Sequence, residues 1–395
     1  MNKKIFTLLI LLLLLPVTAL AADGIELYVG GQLITESGCY EKNQDVNWTK
    51  VGSAEPASGQ FYYDAATATL TLNEAKIVNY QDVTVGGGFT YPGSVIAFSQ
   101  SADVSLTIVV SQGTSNITGT GGIRVVSKAG DASLSISGPG SLEVNVDKND
   151  SGITLIGSKN VNLNIDGADV KTLAAYYYGV DLHAGDGFKA AAVVNNGKLT
   201  AGGSGGIGIY YRWTNPSDSG TSSLTVSGNA VVDTRDSKIL IASQASEVQV
   251  SAGSDGNGGI VFNGKSGTVY GDVTLQENLE IGEGDSLTIP EDASLTVPDG
   301  TTLTNNGRII NYGTIDGTVT GTVATPLTVE MITVADATYT GVAVTPDVTV
   351  VKDGVAYTKD TDYTVSYSDN TNAGMATVTV TPKEGSLLLG SAVTK

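Results

Sequence analysis

Gly152-Ile153-Thr154-Leu155 decides how this chain is read, because its form returns along the sequence: a small residue, Ile or Val, any residue, then a second apolar residue. The first apolar position recurs at Ile96, Ile123, Ile153, Val180, Ile207, Ile239 and Ile260. Two places further on stand Phe98, Val125, Leu155, Leu182, Ile209, Ile241 and Phe262. The intervals, roughly 20 to 32 residues, are those of a repeat architecture. Side chains alternate along a strand, so the two columns face one way, inward, and the residue between them faces solvent.

Working outward from this motif, a second one keeps step with it: LTL from Leu70, LTI from Leu106, LSI from Leu134, LNI from Leu163, LTV from Leu224 and VQV from Val248. A turn and a further strand follow, as at Ser137-Gly138-Pro139-Gly140 before LEV and Asp166-Gly167-Ala168-Asp169 before VKT. Each repeat therefore holds three strands. Such a unit cannot bury its own apolar face, whereas stacking units about 4.8 Å apart buries it continuously. Each large aliphatic side chain so buried contributes about 1.5 to 3 kcal/mol. The expected fold is all-β: a right-handed single-stranded parallel β-helix, its hand set by the preference of parallel crossovers.

The octads SLTIPEDA, SLTVPDGT and TLTNNGRI begin at Ser286, Ser294 and Thr302, and INYGTIDG follows at Ile310. Three octads make a turn of roughly 24 residues, which predicts a narrower continuation of the solenoid from about residue 272; a separate small β domain is the alternative. Thr325-Pro326 marks a boundary, beyond which YTGVAVTPDVTV, DYTVSYSDNTNAG and ATVTV alternate as in a small β-sandwich.

Residues 1–21 carry Lys3 and Lys4, an apolar run from Ile5 to Leu15 and the small-residue ending Ala19-Leu20-Ala21. This reads as a secretory signal peptide and implies an extracellular or cell-surface protein. The apolar run is too short to span a membrane comfortably. Cys39, the one cysteine, lies far from the cleavage site, so it is neither a lipoprotein cysteine nor part of an intrachain disulfide; it is expected to pack at the N-terminal end of the solenoid. Removing two lysines makes the formal charge of −19 more negative still, which disfavours nucleic acid and anionic membranes as partners. The domain reading is signal peptide 1–21, parallel β-helix 22–325 and β-sandwich 326–395.

Two stretches carry a resemblance. LYVGG from Leu27, with FYYDAATATLTLNEAKI from Phe61, resembles the opening of repetitive β-helix surface proteins of gut and anaerobic bacteria, of the carbohydrate-binding-domain-containing type, over roughly residues 25 to 320. YTGVAVTP through DYTVSYSDNTNAGMATVTV is similar to bacterial immunoglobulin-like repeats. Those repeats end in an aromatic-containing strand where SLLLGSAVTK stands here, so an incomplete last repeat is expected. The likeness implies a glycan-facing or adhesive role without naming a ligand.

Parallel β-helices also host polysaccharide hydrolases and lyases, so catalytic groups were sought. Asp181 and His183 project from one strand face, but the equivalent residues one coil earlier, Thr154 and Ile156, and one coil later, Gly208 and Tyr210, supply no second carboxylate or cation. A solvated pair is the reading preferred. The mixed-charge run Asp233-Thr234-Arg235-Asp236-Ser237-Lys238 neutralises itself. Gly203 to Gly208 spell G-x-G-x-x-G but lead into a strand, whereas a phosphate loop opens a helix. Acidic turns at Asp147-Lys148-Asn149-Asp150 and Asp166-Gly167-Ala168-Asp169 offer oxygen ligands for a structural calcium or serve turn geometry. No other cofactor or metal is called for.

Glycan binding needs flat aromatics for sugar rings to stack on. Tyr176, Tyr177 and Tyr178 precede one strand, and Tyr210, Tyr211 and Trp213 close the next, one coil away. Not all can be buried, so they are the candidate ligand-binding platform. The preferred function is a non-catalytic carbohydrate-binding or adhesion protein acting on a polysaccharide or cell-surface glycan. A pectinase-like enzyme and a purely structural stalk are the alternatives.

Overall fold

Short apolar-alternating segments separated by glycine, asparagine and aspartate turns build an all-β chain dominated by long parallel sheets. The computed structural model describes residues 25–395 apart from 44–46, 54, 149, 212–219, 236, 238, 241–247, 255, 339, 353, 373, 392 and 395. The signal-peptide reading, Trp213 and Ile241 therefore lie outside the described residues.

From Thr69 onward, each turn of chain gives one strand to each of three sheets. Sheet B holds Thr69–Asn73, Val104–Gln112, Ala132–Ser137, Val161–Asp166, Lys189–Asn195, Thr221–Ser227 and Gln249–Ala252. Sheet C holds Lys76–Asn79, Thr114–Gly119, Ser141–Val146, Asp169–Ala174, Lys198–Gly202, Ala230–Asp233 and Gly259–Asn263. Sheet A holds Val95–Ser99, Ile123–Ser127, Ile153–Gly157, Tyr178–Ala184, Gly206–Tyr211 and Ile239–Leu240. Neighbouring strands within these sets run parallel, an arrangement compatible with a β-helix. Their inward residues form one continuous buried core.

Two local devices fix the stacking. Glycines precede several sheet A strands because the corner is too tight for a side chain: a Cβ on Gly122 would sit 1.9 Å from the Gly152 carbonyl oxygen. At the corner before sheet B, carboxylate and amide oxygens cap the next coil: Asp103 accepts from the Asp131 backbone N–H at 2.9 Å, Asp131 from that of Asn160 at 2.9 Å, and Asn160 from that of Lys189 at 3.1 Å. Backbone donors at this corner are thereby paired coil to coil.

The predicted columns need three corrections. In sheet A, Val95 and Ala97, not Ile96 and Phe98, line up with Ile123 and Val125. Ile96 and Phe98 point outward into a second apolar cluster, beneath the hairpin of Val83–Val85 and Phe89–Tyr91. Ile260 belongs to sheet C, opposite Val231, not to sheet A. In sheet B, Leu106, Leu134, Leu163, Ala192 and Leu224 stand side by side and continue to Val250, while Leu70 pairs with Ile108.

The N-terminal end is closed by antiparallel strands. Glu26–Val29 pairs with the first sheet A strand, and Gln60–Asp64 with the first of sheet B. Trp48 packs edge-on against Phe61 at 4.7 Å, and Tyr40 stacks on the same ring at 5.1 Å. Cys39 lies buried in Gly38–Lys42 of this cap, where burial pushes its thiol pKa up.

At the other end Gly259–Asn263 turns back as a hairpin into Ser266–Tyr270, antiparallel to it. A narrower stack then rises on sheet C through Ser286–Ile289, Arg308–Asn311 and Val323–Pro326, with two further three-stranded parallel sheets and its own core. The octads at Ser286, Ser294 and Thr302 supply its successive sides. Beyond it, two small antiparallel sheets share a core that includes Ile332, Val350, Tyr363 and Val380. Leu388–Leu389 from this last region pairs back onto Val323–Pro326.

Candidate functional site

The outward face of sheet A carries the chemistry. Its successive outward pairs are Ile96 and Phe98, Arg124 and Val126, Thr154 and Ile156, Asp181 and His183, then Gly208 and Tyr210. At the first coils the face is roofed by the hairpin, where Phe89 and Tyr91 lie 5.9 and 6.2 Å from Phe98. Arg124, 8% exposed, lies under the Tyr91 ring at 5.4 Å and holds Asp150 through Nη2 at 2.6 Å. Burying that guanidinium requires its carboxylate partner, which ties down the chain at Asp150. Lys128 extends over the Phe89 ring at 4.5 Å.

Two coils further on, the Tyr210 hydroxyl donates to Asp181 Oδ1 at 2.8 Å and is hydrogen-bonded to His183 Nε2, which itself lies 3.0 Å from Asp181 Oδ1. Tyr210 sits one coil after His183 in the strand register, and the rings meet edge to face at 3.9 Å. Tyr178 flanks Tyr210 at 6.4 Å. Glycines make room for it, since a Cβ on Gly205 would lie 2.3 Å from the Tyr178 ring. Burial, then the Asp181 charge and hydrogen bond, push the Tyr210 hydroxyl pKa far up; burial and Asp181 do the same, less strongly, to Tyr178. Both phenols hold their protons through the neutral range. The cluster thus combines a carboxylate acceptor 9% exposed, phenol donors and a half-exposed imidazole.

Tyr176 and Tyr177 occupy the turn leading into Tyr178–Ala184, 63% and 48% exposed. The next coil braces this turn: Ser204 Oγ donates to the Tyr176 carbonyl, and Gly205 N–H to that of Tyr177 at 3.3 Å. Gly203 to Gly208 is therefore a bracing turn and strand entry, with Gly203 and Gly206 at φ +126° and +61°. Tyr211 is paired in register with Ala184. Of the six predicted aromatics, Tyr176, Tyr177, Tyr178 and Tyr210 gather around one corner of sheet A.

The partnership of Tyr210 with Asp181 and His183 is the feature that sequence reasoning missed. Its signal was present, because Tyr210 follows His183 by one coil interval, yet only carboxylates and cations were sought there. Next to the cluster, Lys128, Ile156, Ser158, His183, Asp186 and Phe188 line a shallow hollow of about 410 Å³.

The remaining candidates are engaged locally. Asp233 is gripped by Arg235 at 2.7 Å, whose guanidinium lies 4.7 Å from the Phe262 ring centre; Asp236 and Lys238 lie outside the described residues. Asp166 accepts from Asn195 at 2.9 Å. Among the described residues, no group of three or more His, Cys, Asp or Glu side chains could hold a metal ion, and no helix is long and apolar enough to cross a membrane. A scan against protein-family models, a search of curated proteins and a search of solved structures each return no match.

Proposed function

We propose that this chain is a secreted or cell-surface, non-catalytic carbohydrate-binding or adhesion protein, built as a right-handed parallel β-helix with an immunoglobulin-like module as spacer. The reading of handedness rests on the rule for parallel crossovers. The observation that carries the functional reading is the corner where exposed Tyr176 and Tyr177 adjoin the Tyr178, Tyr210, Asp181 and His183 cluster. Sugar rings bury their C–H faces against aromatic rings, and fixed carboxylate and imidazole groups take their hydroxyls. The bracing of the tyrosine turn by the next coil supports a pre-formed platform.

One observation favours a second reading, a pectinase-like enzyme: Tyr210 joins Asp181 and His183 as a third ionisable group. Two features weigh against it. Hydrolysis needs two carboxylates across the scissile bond, and the cluster contributes one. A phenol acting as base must give up its proton readily, whereas Tyr210 is held protonated.

A glycan array with the full chain tests the proposal. Binding is expected, and Tyr176→Ala/Tyr177→Ala should weaken it by about 10-fold or more, the loss of two stacking contacts of about 1 kcal/mol each. Absence of any glycan signal in the unsubstituted chain would leave the stalk reading. Product release from pectin with added calcium would establish the enzyme.

A further inference from the structure

A second hollow lies where the chain reverses between its two stacks. After the hairpin at Gly259 to Tyr270, the segment from Thr274 to Gly282 folds back against the turns that precede three successive sheet C strands. Three polar tethers hold it there. Thr274 N–H donates to Asn229 Oδ1 at 2.7 Å, Lys198 Nζ meets Glu277 Oε1 at 2.6 Å, and Arg235 Nη1 donates to the Glu280 carbonyl at 2.9 Å. Between them remains a cleft of about 570 Å³, within the size range of small-molecule sites.

The lining sorts by chemistry. Val231 and Leu279 are partly exposed and give an aliphatic floor, while Asp169, Asn196 and Gln276 bring both donors and acceptors to the rim. Among the described residues no aromatic ring lines the cleft, which disfavours a flat aromatic ligand. The two cations among its described lining residues are already matched, Lys198 by Glu277 and Arg235 by Asp233, which disfavours an anion. We infer that this inter-stack cleft is a second ligand site, which takes an uncharged, hydroxyl-rich small molecule such as a free sugar or the end of a glycan chain. The aliphatic floor takes the C–H face of the ring and the mixed rim takes its hydroxyls. The inference does not rest on the tyrosine corner, which lies on a different sheet.

Saturation-transfer NMR on the full chain tests it, with glucose, galactose, N-acetylglucosamine, cellobiose, glucosamine and glucuronate as probes. The chain used carries Tyr176→Ala/Tyr177→Ala, which removes the proposed corner platform, and at least one of the four uncharged sugars should still give signal. Val231→Trp, which places an indole in the cleft, should abolish it. Gln276→Ala, a milder change at the rim, should weaken it by about 10-fold, as for one lost hydrogen bond of about 1.4 kcal/mol. Absence of signal from the uncharged sugars would overturn the inference, as would stronger signals from glucosamine or glucuronate. So would binding that survives both cleft variants. If Val231→Trp misfolds, Gln276→Ala alone decides.

Discussion

The two stacks solve the same packing problem at different widths. Most sides of the wide stack run to between five and nine residues, as in Ile153–Gly157, Val161–Asp166 and Val104–Gln112. Those of the narrow stack run to three or four, as in Ser294–Thr296, Leu303–Asn305 and Ser286–Ile289. A three-residue side has room for one or two inward side chains and then must turn. A longer side leaves two or three outward positions in line with those of the next coil. Residues per side therefore set how much functional surface a stack can carry, which is why the clustered polar and aromatic groups lie on the wide stack while the narrow one contributes mainly a core.

The separate cores give the comparison its sharpest test. Leu134 belongs to the core of the wide stack and Leu295 to that of the narrow one, both fully buried. Leu134→Ala and Leu295→Ala should each cost about 3 kcal/mol, and in urea unfolding each should lower a different transition. A single shared transition for both variants would merge the stacks into one cooperative unit. Next in size is Arg124→Ala, which leaves the Asp150 carboxylate without its cation and removes the group beneath Tyr91. Allowing for the partial exposure of the pair, it should cost about 2 kcal/mol, read in the wide-stack transition. An unchanged midpoint would mean that water satisfies Asp150 equally well.

The smallest effect is one of pH. Tyr28 is pushed up to about 12, by burial first and then by Glu26, and Tyr40, Tyr63, Tyr178 and Tyr210 are also raised. A phenol whose folded pKa exceeds its unfolded value gives stability that is present below about pH 10 and lost as pH climbs through the folded pKa. Tyr270, also raised by burial, packs against the wide-stack core as well. Between pH 9 and 12 the urea midpoint of the wide stack should fall while that of the narrow stack stays nearly level; the reverse order would contradict this assignment.

The three-strand repeat was legible because inward positions alternate regularly in coils such as Ser133 to Ile136 and Asn162 to Ile165. Where alternation fails, so did register. Val95-Ile96-Ala97-Phe98 is apolar at both parities because the hairpin covers its outer face, and a strand buried on both faces carries no period to read. Lys189–Asn195 escaped the sheet B motif because Ala190 and Ala192 fill positions taken elsewhere by larger side chains. Ile260 lies on the strand that turns back into the narrow stack, and its short interval from Ile239 marked the change. At the site, the individual tyrosines were visible, but the hydrogen bond from Tyr210 to Asp181 depends on lateral register between coils, which spacing gives only once the coil is known.

Sheet C runs without a break from Lys76–Asn79 through both stacks to Leu388–Leu389. Its interstrand hydrogen bonds all point along the direction of stacking, so tension between the two ends would peel rungs apart in sequence rather than shear many at once. The last two rungs, Ile309 and Ile310 to Val323 and Ala324 and then Thr325 and Pro326 to Leu388 and Leu389, have two residue pairs each. They would yield before the longer rungs of the wide stack, and the molecule would lengthen at this end while the tyrosine corner keeps its shape under load.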